Sequence, residues 1–148
     1  MSDQEPPATS LIDPTGMDTI LVVEDSAPNR MALVFILKKL GLRVCECADG
    51  DVAWKILRSG SEKNIVAVFS DLMMPNMDGL ELLRHVRADQ NLTQLPFVLI
   101  TAVSDQDFIS EAKKLKVNGY ILKPITYQRV FFKLRELFPK NNFPQLVS

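Results

Sequence analysis

Apolar and polar residues along this chain alternate between two patterns, short unbroken apolar runs and longer stretches repeating every three to four positions. Thr19-Ile20-Leu21-Val22-Val23, Asn64-Ile65-Val66-Ala67-Val68-Phe69 and Pro96-Phe97-Val98-Leu99-Ile100 are uninterrupted. Runs of this kind suit strands buried on both faces of a covered parallel sheet. Arg43-Val44-Cys45-Glu46-Cys47 alternates instead, as an edge strand half open to water would. Tyr120-Ile121-Leu122, after the Asn118-Gly119 turn, is the fifth predicted strand.

The helical stretches lie between these runs. Ser26 caps the first and Pro28 suits its first turn, while Leu33, Ile36, Leu37 and Leu40 recur at helical spacing until Gly41 stops it. A second helix, from about Asp51 to Arg58, is predicted to bury Val52, Ala53, Ile56 and Trp54 and to end at Gly60. Leu80, Leu82, Leu83 and Val86 mark the third, with Arg84, His85 and Arg87 on its polar side, which makes His85 a solvated surface residue. Asp105 to Lys116 is a fourth helix of weaker amphipathicity. The last, from about Thr126 to Phe138, places Tyr127, Val130, Leu134, Leu137 and Phe138 on one face. Phe132 falls opposite that face and Phe131 at its edge, so both are candidates for a partner surface.

Strand and helix thus alternate five times, which predicts an α/β fold: a doubly wound five-stranded parallel sheet with right-handed crossovers. Residues 1–17, with Pro6, Pro7, Pro14 and Gly16, read as a flexible N-terminal tail; 18–139 form one domain and 140–148 a short C-terminal tail.

Composition removes several function classes. A formal net charge of -1 gives no electrostatic footprint for direct nucleic-acid or anionic-membrane binding. No apolar run approaches the roughly 20 residues of a membrane span, and Met-Ser-Asp-Gln-Glu is not a leader, so a cytoplasmic location is expected. Cys45 and Cys47, two apart on one strand face, are too widely spaced for an unstrained disulfide. With a single His in the chain, a zinc site is not expected either.

The chemistry lies at the strand ends. The first strand runs into Glu24-Asp25, the third into Asp71, the fourth into Thr101 and the fifth into Lys123. In a parallel sheet these ends share one edge, where ligands of such folds bind. Three carboxylates held together repel one another unless a cation neutralises them, and oxygen-only ligation favours magnesium. A hydroxyl and an ammonium opposite such a metal would cradle a phosphoryl group, and a carboxylate is a recognised nucleophile for phosphoryl transfer.

The Glu24-Asp25 pair, Asp71-Leu72-Met73-Met74-Pro75-Asn76-Met77-Asp78-Gly79, Thr101-Ala102 and Lys123-Pro124-Ile125 resemble the motifs of the response-regulator receiver family, the CheY-like domains of two-component signalling. The resemblance covers about Asp18 to Phe138. It implies a flavodoxin-like sheet with strand order 2-1-3-4-5, an order for which CheY is a standard example. It further implies that Asp71 is the phosphoacceptor, taking a phosphoryl group from a phosphohistidine on a histidine kinase or histidine phosphotransfer protein. Asp25, Asp71 and the Met73 backbone carbonyl would bind Mg2+, with Glu24 acting through water. Lys123, the Thr101 hydroxyl and the Ala102 backbone N–H would contact phosphoryl oxygens. Tyr120 would be the switch aromatic that follows Thr101, and the Lys123-Pro124 bond would be cis. Met73 and Val103 are apolar where relatives tune water attack, which implies slow autodephosphorylation.

Other readings fit less well. A haloacid-dehalogenase-type phosphatase would carry a general acid two residues after Asp71, where this chain has Met73. A flavodoxin-like cofactor module would not place Glu24-Asp25 against a phosphate, and a non-phosphorylated pseudo-receiver would not need the complete acid, threonine and lysine set. Output is expected through the fourth helix, fifth strand and fifth helix to a downstream protein, with homodimerisation through that face open to it. Met1 and the tails favour a stand-alone regulator over a receiver module of a hybrid kinase. The Asp25-Ser26-Ala27-Pro28-Asn29-Arg30 segment resembles receivers of hybrid kinases and phosphorelays.

Overall fold

The computed structural model describes residues 18–62, 64–102 and 106–143. Five strands and five helices alternate: β1 (Thr19–Val23), α1 (Ala27–Lys39), β2 (Arg43–Cys47), α2 (Gly50–Ser59), β3 (Ile65–Asp71), α3 (Gly79–Ala88), β4 (Phe97–Thr101), α4 (Gln106–Lys114), β5 (Gly119–Leu122) and α5 (Tyr127–Leu137). The strands are all parallel, in the order β2-β1-β3-β4-β5. The expected fold class and strand order are therefore observed.

Because strand side chains alternate between faces, each central strand feeds two cores. Ile20, Val22, Ala67, Phe69, Val98 and Ile100 point towards α1 and α5. Leu21, Val23, Val68, Phe97 and Leu99 point towards the layer of α2, α3 and α4. The apolar runs are apolar throughout because both faces are covered. β2, at the edge, leaves Arg43 and Glu46 exposed and buries only Cys47 fully. Both cysteines are free, and burial pushes the Cys47 thiol up to about 12, which keeps it protonated and unreactive.

Local signals set the helix ends. The Ser26 hydroxyl accepts from the Asn29 N–H, Asp49 caps α2 through the Val52 N–H, and Asp78 with Glu81 forms a reciprocal capping box on α3. At the far end of α4, Lys116 takes φ 57°, so that its N–H and that of Val117 reach back to the Lys113 and Ala112 carbonyls.

Two facing assignments differ from expectation. In α2 the inward stripe is Ala53 and Leu57, four residues apart; Val52 lies about 100° to its side and is 43% exposed. Ile56 and Trp54 are half-buried at the flanks, with Trp54 stacked on the exposed His85 ring at 5.1 Å. In α5 the inward stripe is wider than five positions. Phe131 is 4% exposed, within the first core beside Val130 and Leu134, and its ring stacks with Tyr127. Phe131 is thus core, and only Phe132, 51% exposed, remains on the surface. Tyr127 packs, partly buried, against the same core.

The expected tail at 1–17 lies outside the described residues, as does Val103. Of residues 140–148, those up to 143 are described, and Phe143 packs against the first core. The outward face of α1 carries apolar surface. Met31 is 67% and Phe35 62% exposed, with the Lys39 ammonium over the Phe35 ring.

Candidate functional site

The ends of β1, β3, β4 and β5 meet at one sheet edge because every strand runs in the same direction. β1 delivers Glu24 and Asp25 just past its last residue. The Glu24 N–H donates to the Cys47 carbonyl at 3.1 Å, so the pairing with β2 extends one residue beyond the strand. The carboxylate of Glu24 then folds over the turn, where its Oε2 accepts the Ser26 N–H at 3.0 Å. Its other oxygen, Oε1, is buried without a hydrogen-bond partner. Asp25, its neighbour, is exposed.

β3 ends in Asp71, which is buried. Its Oδ1 accepts the Leu72 N–H at 3.0 Å and forms an ion pair with the Lys123 ammonium at 2.9 Å. The main chain around it is held tightly. The Ser70 hydroxyl donates to the Asp71 carbonyl oxygen, and the Gly79 N–H donates to that of Leu72. Gly79 lies so close to the Asp71 carbonyl that a Cβ at that position would overlap it, which explains the glycine on packing grounds.

Thr101 ends β4 and is buried, with its Oγ1 lacking a partner. Its carbonyl accepts the Lys123 N–H at 2.8 Å, which ties the hydroxyl-bearing and ammonium-bearing tips together. Ala102 follows, half-buried, and the Lys123-Pro124 bond is cis. Tyr120 is half-buried on β5, and its hydroxyl donates to the Ile109 carbonyl of α4 at 3.4 Å rather than to Thr101. Met73 stands 53% exposed in the loop after Asp71.

Glu24, Asp25 and Asp71 each place a carboxylate oxygen within 4.8 Å of the others. Burial, opposed by the Ser26 N–H, pushes the Glu24 carboxyl up to about 7, and the nearby Asp71 charge adds to the rise. Burial likewise raises Asp71, against the pull of the Lys123 ammonium. Three carboxylates against one ammonium leave negative charge uncompensated in a partly dry place. An all-oxygen donor set with an orphaned buried Glu24 oxygen fits a hard divalent cation. A cleft of about 460 Å³, lined by Asn29, Ala32, Lys123, Pro124 and Ile125, opens beside this cluster.

The strand-end residues named from sequence are thus brought to one edge, while Phe131 is not on any surface. Two features of α1 escaped the sequence reading, of which only the first touches the site. Arg30 of α1 donates to the Glu24 carbonyl at 2.8 Å and to the Glu46 carboxylate at 3.2 Å. The exposed Met31 and Phe35, four residues apart and off the Leu33-Ile36-Leu37 stripe, could have been found from that spacing.

Fold and site together define a flavodoxin-like α/β domain with an acidic pocket at its strand ends. The family model of the response regulator receiver domain matches residues 20–135. Chemotaxis protein CheY of Pseudomonas aeruginosa is 39% identical over 124 residues, covering 83% of this chain and 98% of that protein. CheY-3 of Vibrio cholerae is 37% identical over 122 residues, covering 82% and 92%. Among solved structures, a response regulator receiver protein from Pseudomonas putida superposes with a TM-score of 0.73 at 27% identity, covering 80% of this chain and 96% of that one. The receiver domain of a sensor histidine kinase from Pseudomonas aeruginosa, whose structure has a magnesium ion coordinated in the active-site cleft, gives 0.71 at 29% identity, covering 81% and 96%. This chain belongs to the response regulator receiver family, the CheY-like switches of two-component signalling. Among the described residues, no helix is long and apolar enough to cross a membrane.

Proposed function

We propose that this chain is a phosphoacceptor switch in which Asp71 takes a phosphoryl group from a phosphohistidine on a histidine kinase or histidine phosphotransfer protein. The observation that carries the proposal is the Lys123 ammonium 2.9 Å from Asp71 Oδ1, inside a cluster whose carboxylate oxygens lie within 4.8 Å of one another. Such transfer needs positioning and charge neutralisation more than covalent chemistry from the protein. The free Asp71 oxygen attacks phosphorus, the P–N bond breaks, and the electron pair leaves on the imidazole nitrogen. Lys123, held to Asp71 before transfer, would exchange the carboxylate for a phosphoryl oxygen, and the partnerless Thr101 hydroxyl would donate to another. The Ala102 N–H would do the same.

Asp25, Asp71 and the Met73 carbonyl would hold Mg2+, with Glu24 acting through water, and the bound ion would neutralise charge on the transferring group. A Thr101 hydroxyl drawn towards the phosphoryl group would vacate space for Tyr120 to turn from its contact with α4, passing the change to α4, β5 and α5. Phe132 and the 43% exposed Leu122 give that face apolar surface for a downstream protein, or for a second copy. We read the chain as a cytoplasmic switch rather than an enzyme with turnover. With apolar Met73 beside the acyl phosphate, its lifetime should be minutes or longer; decay within seconds would refute that point.

Intact mass after incubation with magnesium and acetyl phosphate or phosphoramidate tests the proposal. One phosphoryl adduct on the wild type, absent from Asp71→Asn and from a magnesium-free sample, is expected. A folded wild type that gains no adduct from either donor would favour a partner-binding pseudo-receiver.

A further inference from the structure

We propose that Arg30 is a positioning residue for the acidic cluster: its guanidinium holds the Glu24 backbone carbonyl, with the exposed Glu46 carboxylate only a weak second contact, and so sets where Glu24 and Asp25 present their oxygens. The inference rests on reading that cluster as a magnesium site.

Arg30 lies in the first turn of α1, and its side chain is 22% exposed. Nη1 donates to the Glu24 carbonyl oxygen at 2.8 Å and Nε to Glu46 Oε1 at 3.2 Å. The β1–β2 register places Val22 beside Glu46, and the Glu24 N–H bonds the Cys47 carbonyl. Residue 24 is therefore gripped on both sides, its N–H by β2 and its C=O by Arg30. The gripped carbonyl belongs to the peptide that links Glu24 to Asp25. That unit is planar, so fixing the direction of the carbonyl also fixes the Asp25 N–Cα bond and narrows where its side chain points. Asp25 itself is exposed, so the direction of its backbone matters for where its carboxylate goes. A guanidinium suits the task because its donors form a rigid planar fork, whereas an ammonium is a point charge.

Two other accounts of the same contacts give different outcomes. As a simple ion pair with Glu46, which is 49% exposed, Arg30 would contribute little, because such pairs are weak in water. As a nearby positive charge it would repel a bound cation, and its removal would tighten magnesium binding. A positioning role gives the opposite sign. Loss of an outer partner of a metal ligand typically weakens metal affinity about 10- to 100-fold.

The experiment is calorimetric titration of the full chain with MgCl2, at fixed ionic strength, for wild type, Arg30→Ala, Arg30→Lys and Glu46→Ala. Thermal unfolding in chelator establishes that each variant is folded. We expect Arg30→Ala to weaken magnesium about 10-fold, Arg30→Lys to fall between it and wild type, and Glu46→Ala to stay within about twofold. Acetyl phosphate labelling of Arg30→Ala should need more magnesium for half-maximal rate yet reach a wild-type maximum. Should Arg30→Ala not fold, Arg30→Lys carries the test. Unchanged or tighter magnesium binding by a folded Arg30 variant overturns the inference alone. No magnesium binding by the wild type overturns the magnesium reading, and the inference with it.

Discussion

Replacing Glu24 by Gln should stabilise the magnesium-free protein above neutral pH. Glu24 is 1% exposed as a residue, and burial lifts its carboxyl pKa from 4.5 to about 7. Between those two values the folded chain binds more protons at this site than the unfolded chain. Stability from this group is thus fully present below about 4.5, falls as pH rises towards 7, and is flat beyond. At about 1.4 kcal/mol per unit, ionised Glu24 costs the folded state roughly 3 kcal/mol at most. Glutamine keeps the shape and carries no charge, so the two proteins should match near pH 4.5 and diverge by roughly 2–3 kcal/mol at about pH 8. Urea unfolding in chelator, from about pH 4.5 to 8.5, measures this difference directly. Added magnesium should narrow it, because a cation bound only by the folded wild type adds stability by mass action. A variant no more stable than wild type at about pH 8 in chelator, or a gap that does not change with pH, would refute the claim that burial destabilises this carboxylate.

The two aromatic neighbours on α5 should behave differently. Phe131→Ala opens the first core and should cost about 3–5 kcal/mol in urea unfolding, whereas Phe132→Ala, which removes a half-exposed ring set edge-on to Phe131, should cost only about 1 kcal/mol. Similar losses for both would contradict the facing described for α5. Arg87 donates to the carbonyls of Leu115, Thr93, Leu95 and Lys116 and to Asn118 Oδ1, at 2.8 to 3.2 Å. Arg87→Ala should therefore cost roughly 2–4 kcal/mol and speed amide exchange around the entrances to β4 and β5. Exchange unchanged there would show that other contacts hold those turns.

Much of the molecule was legible in the order of residues. The buried strands were visible because covering both faces of a parallel sheet demands apolar residues at every position. Each run also stops where a charged or hydroxyl residue meets the sheet edge. Parallel topology then required Glu24, Asp25, Asp71, Thr101 and Lys123 to share that edge. The start of α1 was equally plain, since Ser26 caps through a bond spanning three residues; Asp49 and Asp78 cap their helices over the same spacing, a role the sequence reading did not assign them.

Tertiary structure alone decided what depends on distant surroundings. Glu24 and Asp25 are adjacent and chemically alike, yet one is buried with a raised pKa and the other exposed, because only Glu24 folds over the turn towards Ser26. Phe131 is inside and Val52 outside because what packs against each helix decides whether a position at the edge of its apolar stripe is covered. The Arg87 bonds to Leu115, Lys116 and Asn118 and the Arg30 bond to Glu46 join residues 16 to 31 positions apart. A local sequence pattern records which way a side chain points from its own element; what waits there is supplied by another part of the chain.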